Sequence, residues 1–167
     1  SWRVVQRGDR LTVDGVDVCV WHPPLADWER QRVRNDDSVV IELRHGDVSI
    51  VLPGDVENTA EQAISPLLPD AVLRILQAPH HGSVSSAGET MLGAARPSLG
   101  VVSVGRGNRF GHPHQVVLRR FRALGIPVVR TDVHGAITAT TDGHMVRVVT
   151  FTGKTIMLPA APRRAVR

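Results

Sequence analysis

Val72-Leu73-Arg74-Ile75-Leu76-Gln77-Ala78-Pro79-His80-His81-Gly82-Ser83 sets an apolar run directly against two adjacent histidines on a Gly/Ser turn. Five residues rich in branched aliphatics, closed by a proline, suit a buried strand. Histidines on the loop behind it have no core to satisfy, and neutral imidazole is the commonest metal ligand. Gly82 lets the backbone approach a ligand, and the nearby hydroxyls of Ser83, Ser85 and Ser86 can bind phosphate or orient a water. A purely structural loop is the plainer alternative.

Outward from this stretch, the chain alternates short strands with short helices. Towards the N-terminus, Val48–Leu52 ends in Pro53-Gly54-Asp55. That pair suits a turn as well as a carboxylate aimed into a metal site. Asn58 with Glu61 three residues on reads as a capping box for a helix to about Ile64, stopped by Pro66. Leu11–Val18 around Asp14-Gly15 reads as a hairpin, and so does 38–52 around His45-Gly46-Asp47. Residues 22–37 read as a loop. Towards the C-terminus, a helix near Gly88–Ala95 leads to a buried strand, Leu99–Val104. A second helix carries Val117, Leu118, Phe121 and Leu124 up to Gly125. A strand at Val128-Val129 and a last hairpin, 136–151, complete an α/β (α+β) chain with much antiparallel pairing. One domain over residues 1–158 and a disordered basic tail at 159–167 are expected.

Between strand and helix lies Gly105-Arg106-Gly107-Asn108-Arg109-Phe110-Gly111-His112-Pro113-His114, a place suited to an anion. Dinucleotide and P-loop spacings are absent there. Thr152-Gly153-Lys154-Thr155 has Val148 where a P-loop needs its first glycine, so no nucleotide cofactor is expected. Thr131-Asp132 reads either as a strand-end turn or as a group supporting the site. His22, His45 and His144 read as solvated loop residues.

Composition narrows the classes. The single Cys19 excludes a disulfide framework and a thiolate zinc cluster. No stretch approaches the roughly 18 apolar residues of a membrane span, and there is no signal-peptide pattern. The net charge of +4 is compatible with a nucleic-acid partner without requiring one.

Taken in order, Asn35-Asp36-Asp37-Ser38, Pro53-Gly54-Asp55, Pro79–Ser86, Ser103–His114 and Arg130–Ile137 resemble the C-terminal metallo-β-lactamase-like domain of ComEC-type competence proteins, membrane channels for DNA uptake. The resemblance runs from about Arg7 to Thr141. It implies the C-terminal portion of an αββα metallo-β-lactamase sandwich, with metal ligands on loops at strand ends. Asp55 matches the acidic residue that bridges two metals, and one of His80 or His81 matches a later ligand, with His80 preferred because it lies nearest the strand end. Ser83, Ser86, Asn108, His112, His114 and Asp132 then fall to substrate contact or ligand support. The leading His-x-His-x-Asp-His is missing, and His22 or Asp36 would have to serve as the middle ligand.

The resemblance thus implies part of a Zn2+- or Mn2+-dependent phosphodiesterase acting on single-stranded DNA, attached to a multi-pass cell-membrane channel and facing the extracytoplasmic side. Asp55 and one histidine fall short of the roughly three protein ligands of a catalytic zinc. Weak metal binding and little turnover are therefore expected of this chain alone. A non-catalytic DNA-binding or assembly module, or a fragment of a stand-alone hydrolase of the same fold, are the alternatives.

Overall fold

The computed structural model describes residues 4–25 and 34–160. Seven strands form a mixed sheet in sequence order: β1 (Arg10–Val13), β2 (Val16–His22), β3 (Val40–His45), β4 (Val48–Leu52), β5 (Leu73–Gln77), β6 (Leu99–Val102) and β7 (Val128–Arg130). The first four pair antiparallel through tight turns at Asp14-Gly15 and Gly46-Asp47, as their turn chemistry predicts. From β4 onward pairing is parallel, so each connection must cross over. The crossovers are α1 (Asn58–Ile64), α2 (Glu89–Ala95) and α3 (Gln115–Ala123).

All three helices cover one face. Ala60, Ile64, Met91, Leu92, Ala95, Val117 and Phe121 pack there with Val40, Val51, Leu76 and Val102 of the strands. After β7 comes one helical turn, α4 (Thr131–His134), and then a three-stranded antiparallel sheet of β8 (Ile137–Thr141), β9 (Met145–Thr150) and β10 (Thr155–Pro159), in the order β10-β9-β8. Its Val146, Val148 and Ile156 pack on Val48, Leu73, Ile75, Leu99 and Val129 from the opposite face of the large sheet. Strands β4–β7 are thus buried on both sides, which explains their continuous apolar character. The layers are helix, sheet, sheet. A second helical layer, which an αββα sandwich has, is not among the described residues.

Several local expectations change. Asn58 is the first helical residue, and the N-cap is Glu57. Glu61 is buried and accepts from the Ala87 and Gly88 N–H groups at 2.6 and 2.8 Å, tying α1 to the start of α2. Burial pushes its carboxyl above the ordinary carboxylate value, against the pull of those bonds. Strand β10 was not foreseen; Pro159 ends it and Ala160 packs on the second core. Thr152–Lys154 is the turn leading into it. Trp2-Arg3, the middle of the 22–37 loop and residues 161–167 of the expected tail lie outside the described residues.

Candidate functional site

The carboxyl ends of parallel strands β4, β5, β6 and β7 open at one pole of the large sheet, as do the end of β2 and the start of β3. This strand-end location is where open α/β sheets hold ligands. Four segments converge there: 34–38, 53–57, 78–86 and 103–114.

Gly54 turns the chain out of β4 at a φ of +62°, and a Cβ there would sit 3.0 Å from the Ser38 Cβ. Ser38 Oγ accepts from the Asp55 N–H at 3.2 Å, while the Gly54 carbonyl accepts from the His80 N–H at 2.9 Å. His80 and His81 both adopt left-handed backbone conformations, at φ of +44° and +54°. Such conformations cost non-glycine residues about 1–3 kcal/mol each and persist where surrounding contacts dictate them. Here they turn the two rings apart, with centroids 6.4 Å distant.

Each ring is oriented through Nδ1. The His81 Nδ1–H donates to the Ser103 carbonyl at 2.7 Å, and the His80 Nδ1–H to Glu57 Oε1 at 2.9 Å. A carbonyl and an ionised carboxylate only accept, so both rings carry a proton on Nδ1 and turn Nε2 away from those partners. His81 Nε2 lies 3.6 Å from Asp55 Oδ1, and both side chains are nearly half exposed. That gap is too long for a hydrogen bond. It is close to the roughly 3.4 Å between two ligands of one tetrahedral ion with zinc-type bond lengths. His81, not the preferred His80, therefore faces Asp55.

The loop 103–114 supplies two further imidazoles. The His112 ring centroid lies 5.7 Å from that of His80 and 5.2 Å from that of His114. Burial, then the neighbouring imidazoles of His114, His80 and His81, hold His112 below the ordinary histidine value, with Asp55 pulling the other way. Asn108 clamps this loop: its Nδ2 donates to the His112 carbonyl at 2.6 Å and its Oδ1 accepts from the His112 N–H at 3.0 Å. Gly82, at a φ of +81°, lies against Pro113, where a Cβ would come within 2.6 Å of the proline Cβ. Its carbonyl accepts from the His114 N–H at 2.9 Å.

The other expected residues are more committed. Ser86 is fully buried, with its hydroxyl at 2.8 Å from the Pro79 carbonyl and 2.9 Å from that of Ser83, so it pins the histidine turn. Ser83 Oγ shares a hydrogen bond with Ser85 Oγ at 3.1 Å. The Asp132 carboxylate is taken up bidentately by Arg130 at 2.6 and 3.0 Å, which holds it below the ordinary range. His22 is buried rather than solvated and donates through Nε2 to the Asp36 carbonyl at 2.6 Å. Asp36 Oδ1 accepts from the Glu57 N–H at 2.6 Å. These two organise the segment beside Asp55.

Glu57 was missed. Burial raises its pKa, but hydrogen bonds from Asn35, Ser85 and His80 outweigh that and hold it below the usual carboxylate value. The sequence carries a signal for it: continuing the period of two beyond β4 puts Asp55 and Glu57 on one side. Asp55 and His81 fit as a pair of metal donors with an oriented ring behind one of them. Among the described residues, no group of three or more His, Cys, Asp or Glu side chains is arranged to hold a metal ion.

Over 133 residues, 80% of this chain, the sequence is 35% identical to ComE operon protein 3 of Bacillus subtilis, and it spans 17% of that protein. It is 32% identical to Competence protein ComA of Neisseria gonorrhoeae over 74% of this chain and 18% of the relative. This chain belongs to the ComEC-type competence proteins. Recombination protein 2 of Haemophilus influenzae, 35% identical over 64% of the chain and 13% of its own length, is a further relative. No family model matches the chain. No described helix of this ComEC-type chain is long and apolar enough to cross a membrane.

Proposed function

We propose that this ComEC-type chain is part of a metallo-β-lactamase-fold phosphodiesterase domain that cleaves a DNA strand during uptake. Asp55 and His81 would serve as two of its Zn2+ or Mn2+ ligands. The observation that carries this reading is the 3.6 Å approach of His81 Nε2 to Asp55 Oδ1 while the Ser103 carbonyl occupies His81 Nδ1. When bound, the divalent ion supplies Lewis-acid stabilisation of the charge that develops on a phosphodiester.

The chain's own residues supply position and protonation state. Ser103 holds the Nδ1 edge of His81, which leaves Nε2 as the nitrogen turned towards Asp55. Glu57 holds the Nδ1 edge of His80, whose ring lies 5.7 Å from that of His112. Asn108 and Gly82 fix the loop that carries those two rings. The arrangement receives a phosphate oxygen from the exposed side of Asp55. The remaining ligands come from other parts of the parent polypeptide, which also provides the membrane channel, and the domain lies on its extracytoplasmic side.

The test uses the complete gene product with a fluorescent single-stranded DNA. Cleavage should require added Mn2+ or Zn2+, cease with chelator, and be lost in both Asp55→Asn and His81→Ala. Cleavage that survives chelator and both substitutions would sink the reading.

A further inference from the structure

The exposed aromatic ring beside the site has no role in the chemistry above. Phe110 is 61% exposed, one of only three phenylalanines in a chain without tyrosine. Isolated surface hydrophobes are ordinary, but this one is held in a defined arrangement. Its ring lies on His112 with centroids 5.8 Å apart and planes inclined by 30°, and His112 in turn borders His80 and His114. The Arg109 guanidinium sits 5.0 Å from the centroid of the Phe110 ring. Asn108 clamps the loop on the His112 side, and Arg106 Nε donates to the Asp132 carbonyl at 3.4 Å on the other. From Gly105 to Pro113 the loop carries two arginines and no acidic residue.

A largely exposed aromatic ring, with one guanidinium lying over it and a second on the same loop, continuous with a row of imidazoles, matches how single-stranded nucleic acid is held. Bases stack on aromatic side chains, and the backbone follows positive charge without sequence readout. A duplex keeps its base faces inside the stack and offers none to such a ring. A protein interface is built round a buried apolar core, and between Gly105 and Pro113 Phe110 is the single exposed large apolar side chain. We propose that Phe110 is a nucleobase-stacking residue that holds a single strand across the mouth of the Asp55–His81 site, with Arg106 and Arg109 contacting its phosphates. The proposal rests on the reading of this site as one that acts on DNA, but it concerns binding rather than cleavage.

The two can be separated in the Asp55→Asn background of the complete gene product, where no cleavage is expected. Binding is measured for a single-stranded oligonucleotide carrying 2-aminopurine and for an abasic strand of equal length, which keeps the phosphates and lacks the bases. Phe110→Ala should weaken binding of the base-bearing strand about ten- to a hundredfold and abolish the change in 2-aminopurine emission, with little effect on the abasic strand. Phe110→Trp should retain both signals. The proposal is overturned if Phe110→Ala binds the base-bearing strand as the parent does, or if both strands weaken equally. It is also overturned if the substitution disturbs only association with other protein. Loss of divalent-dependent cleavage tests Asp55 and His81 separately, so either reading can fail alone.

Discussion

Two clusters of charged and polar side chains in this chain have opposite designs. Beneath the helices, Arg74 on β5 donates to Ser49 Oγ at 3.0 Å, to the Ala95 carbonyl at 2.9 Å and to Glu42 Oε1 at 3.1 Å. Trp21 Nε1 donates to Glu42 Oε2 at 3.0 Å, and Ser49 Oγ to Glu42 Oε1 at 2.5 Å. Arg74, Glu42 and Ser49 are essentially inaccessible, and no buried side-chain nitrogen or oxygen among the described residues lacks a partner. At the strand ends, by contrast, His80 and His81 are anchored by one nitrogen and keep the other free, and Asp55 faces His81 across a gap. Saturated bonding in a dry environment makes structure. Side chains fixed at one atom, with another turned to an opening, are what a candidate site needs. The presence of charge does not distinguish the two; what distinguishes them is how much hydrogen-bonding capacity remains unused.

The largest test of that contrast falls on the saturated cluster. Arg74→Met leaves Glu42 buried without its main counter-charge and should cost about 3–5 kcal/mol in urea unfolding. The double variant Arg74→Met with Glu42→Leu should recover much of that loss. If the single change were nearly silent, the cluster would not be the sealed unit described. Next comes the frame of the open cluster. Gly82→Ala forces a Cβ against Pro113 in a left-handed conformation, and about 2–4 kcal/mol of destabilisation is expected from strain and overpacking together. A melting temperature equal to that of the parent would mean that the contact between the histidine turn and the 112–114 loop is looser than drawn.

The Arg130–Asp132 pair lies between these extremes. Arg130 lowers the Asp132 pKa below its unfolded value, so its contribution is present above the unfolded carboxylate pKa and disappears as pH falls through the lowered folded value. Asp132→Asn should therefore cost about 1 kcal/mol at pH 7 and flatten the stability profile at acid pH. An unchanged acid profile would show that another carboxylate governs it. The smallest structural effect belongs to the site itself. Asp55→Asn should shift unfolding by no more than about 0.5 kcal/mol while removing divalent-dependent cleavage in the complete polypeptide. A large loss of stability would move Asp55 to the structural side of the comparison.

Much of the architecture was legible in the order of residues. Asp14-Gly15 and Gly46-Asp47 make their turns for local steric reasons, and short apolar runs between turn signals became β4, β5 and β6. That Asp55 and His80-His81 gather at one edge of the sheet was legible too, because they directly follow strands that must be parallel neighbours once helices intervene. β10 was not legible: its apolar residues follow a Thr-Gly-Lys turn that carries no strong hairpin pair, and the strand forms through its ladder with β9 and the packing of Ile156 and Leu158 on the second core. Glu61 was misplaced because a capping box and a carboxylate serving another helix have the same local spacing.

The sequence by itself determined which side chains could do chemistry here and at which end of the sheet they gather, since both follow from strand direction and short-range turn chemistry. The tertiary structure alone decided which histidine faces Asp55, that Glu57 holds the other, and that Ser103 assigns the proton. An imidazole's direction depends on backbone dihedrals set by the Gly54 carbonyl, the Gly82–Pro113 contact and the Ser103 carbonyl. Those partners lie up to about thirty residues away along the chain, beyond the reach of any local pattern.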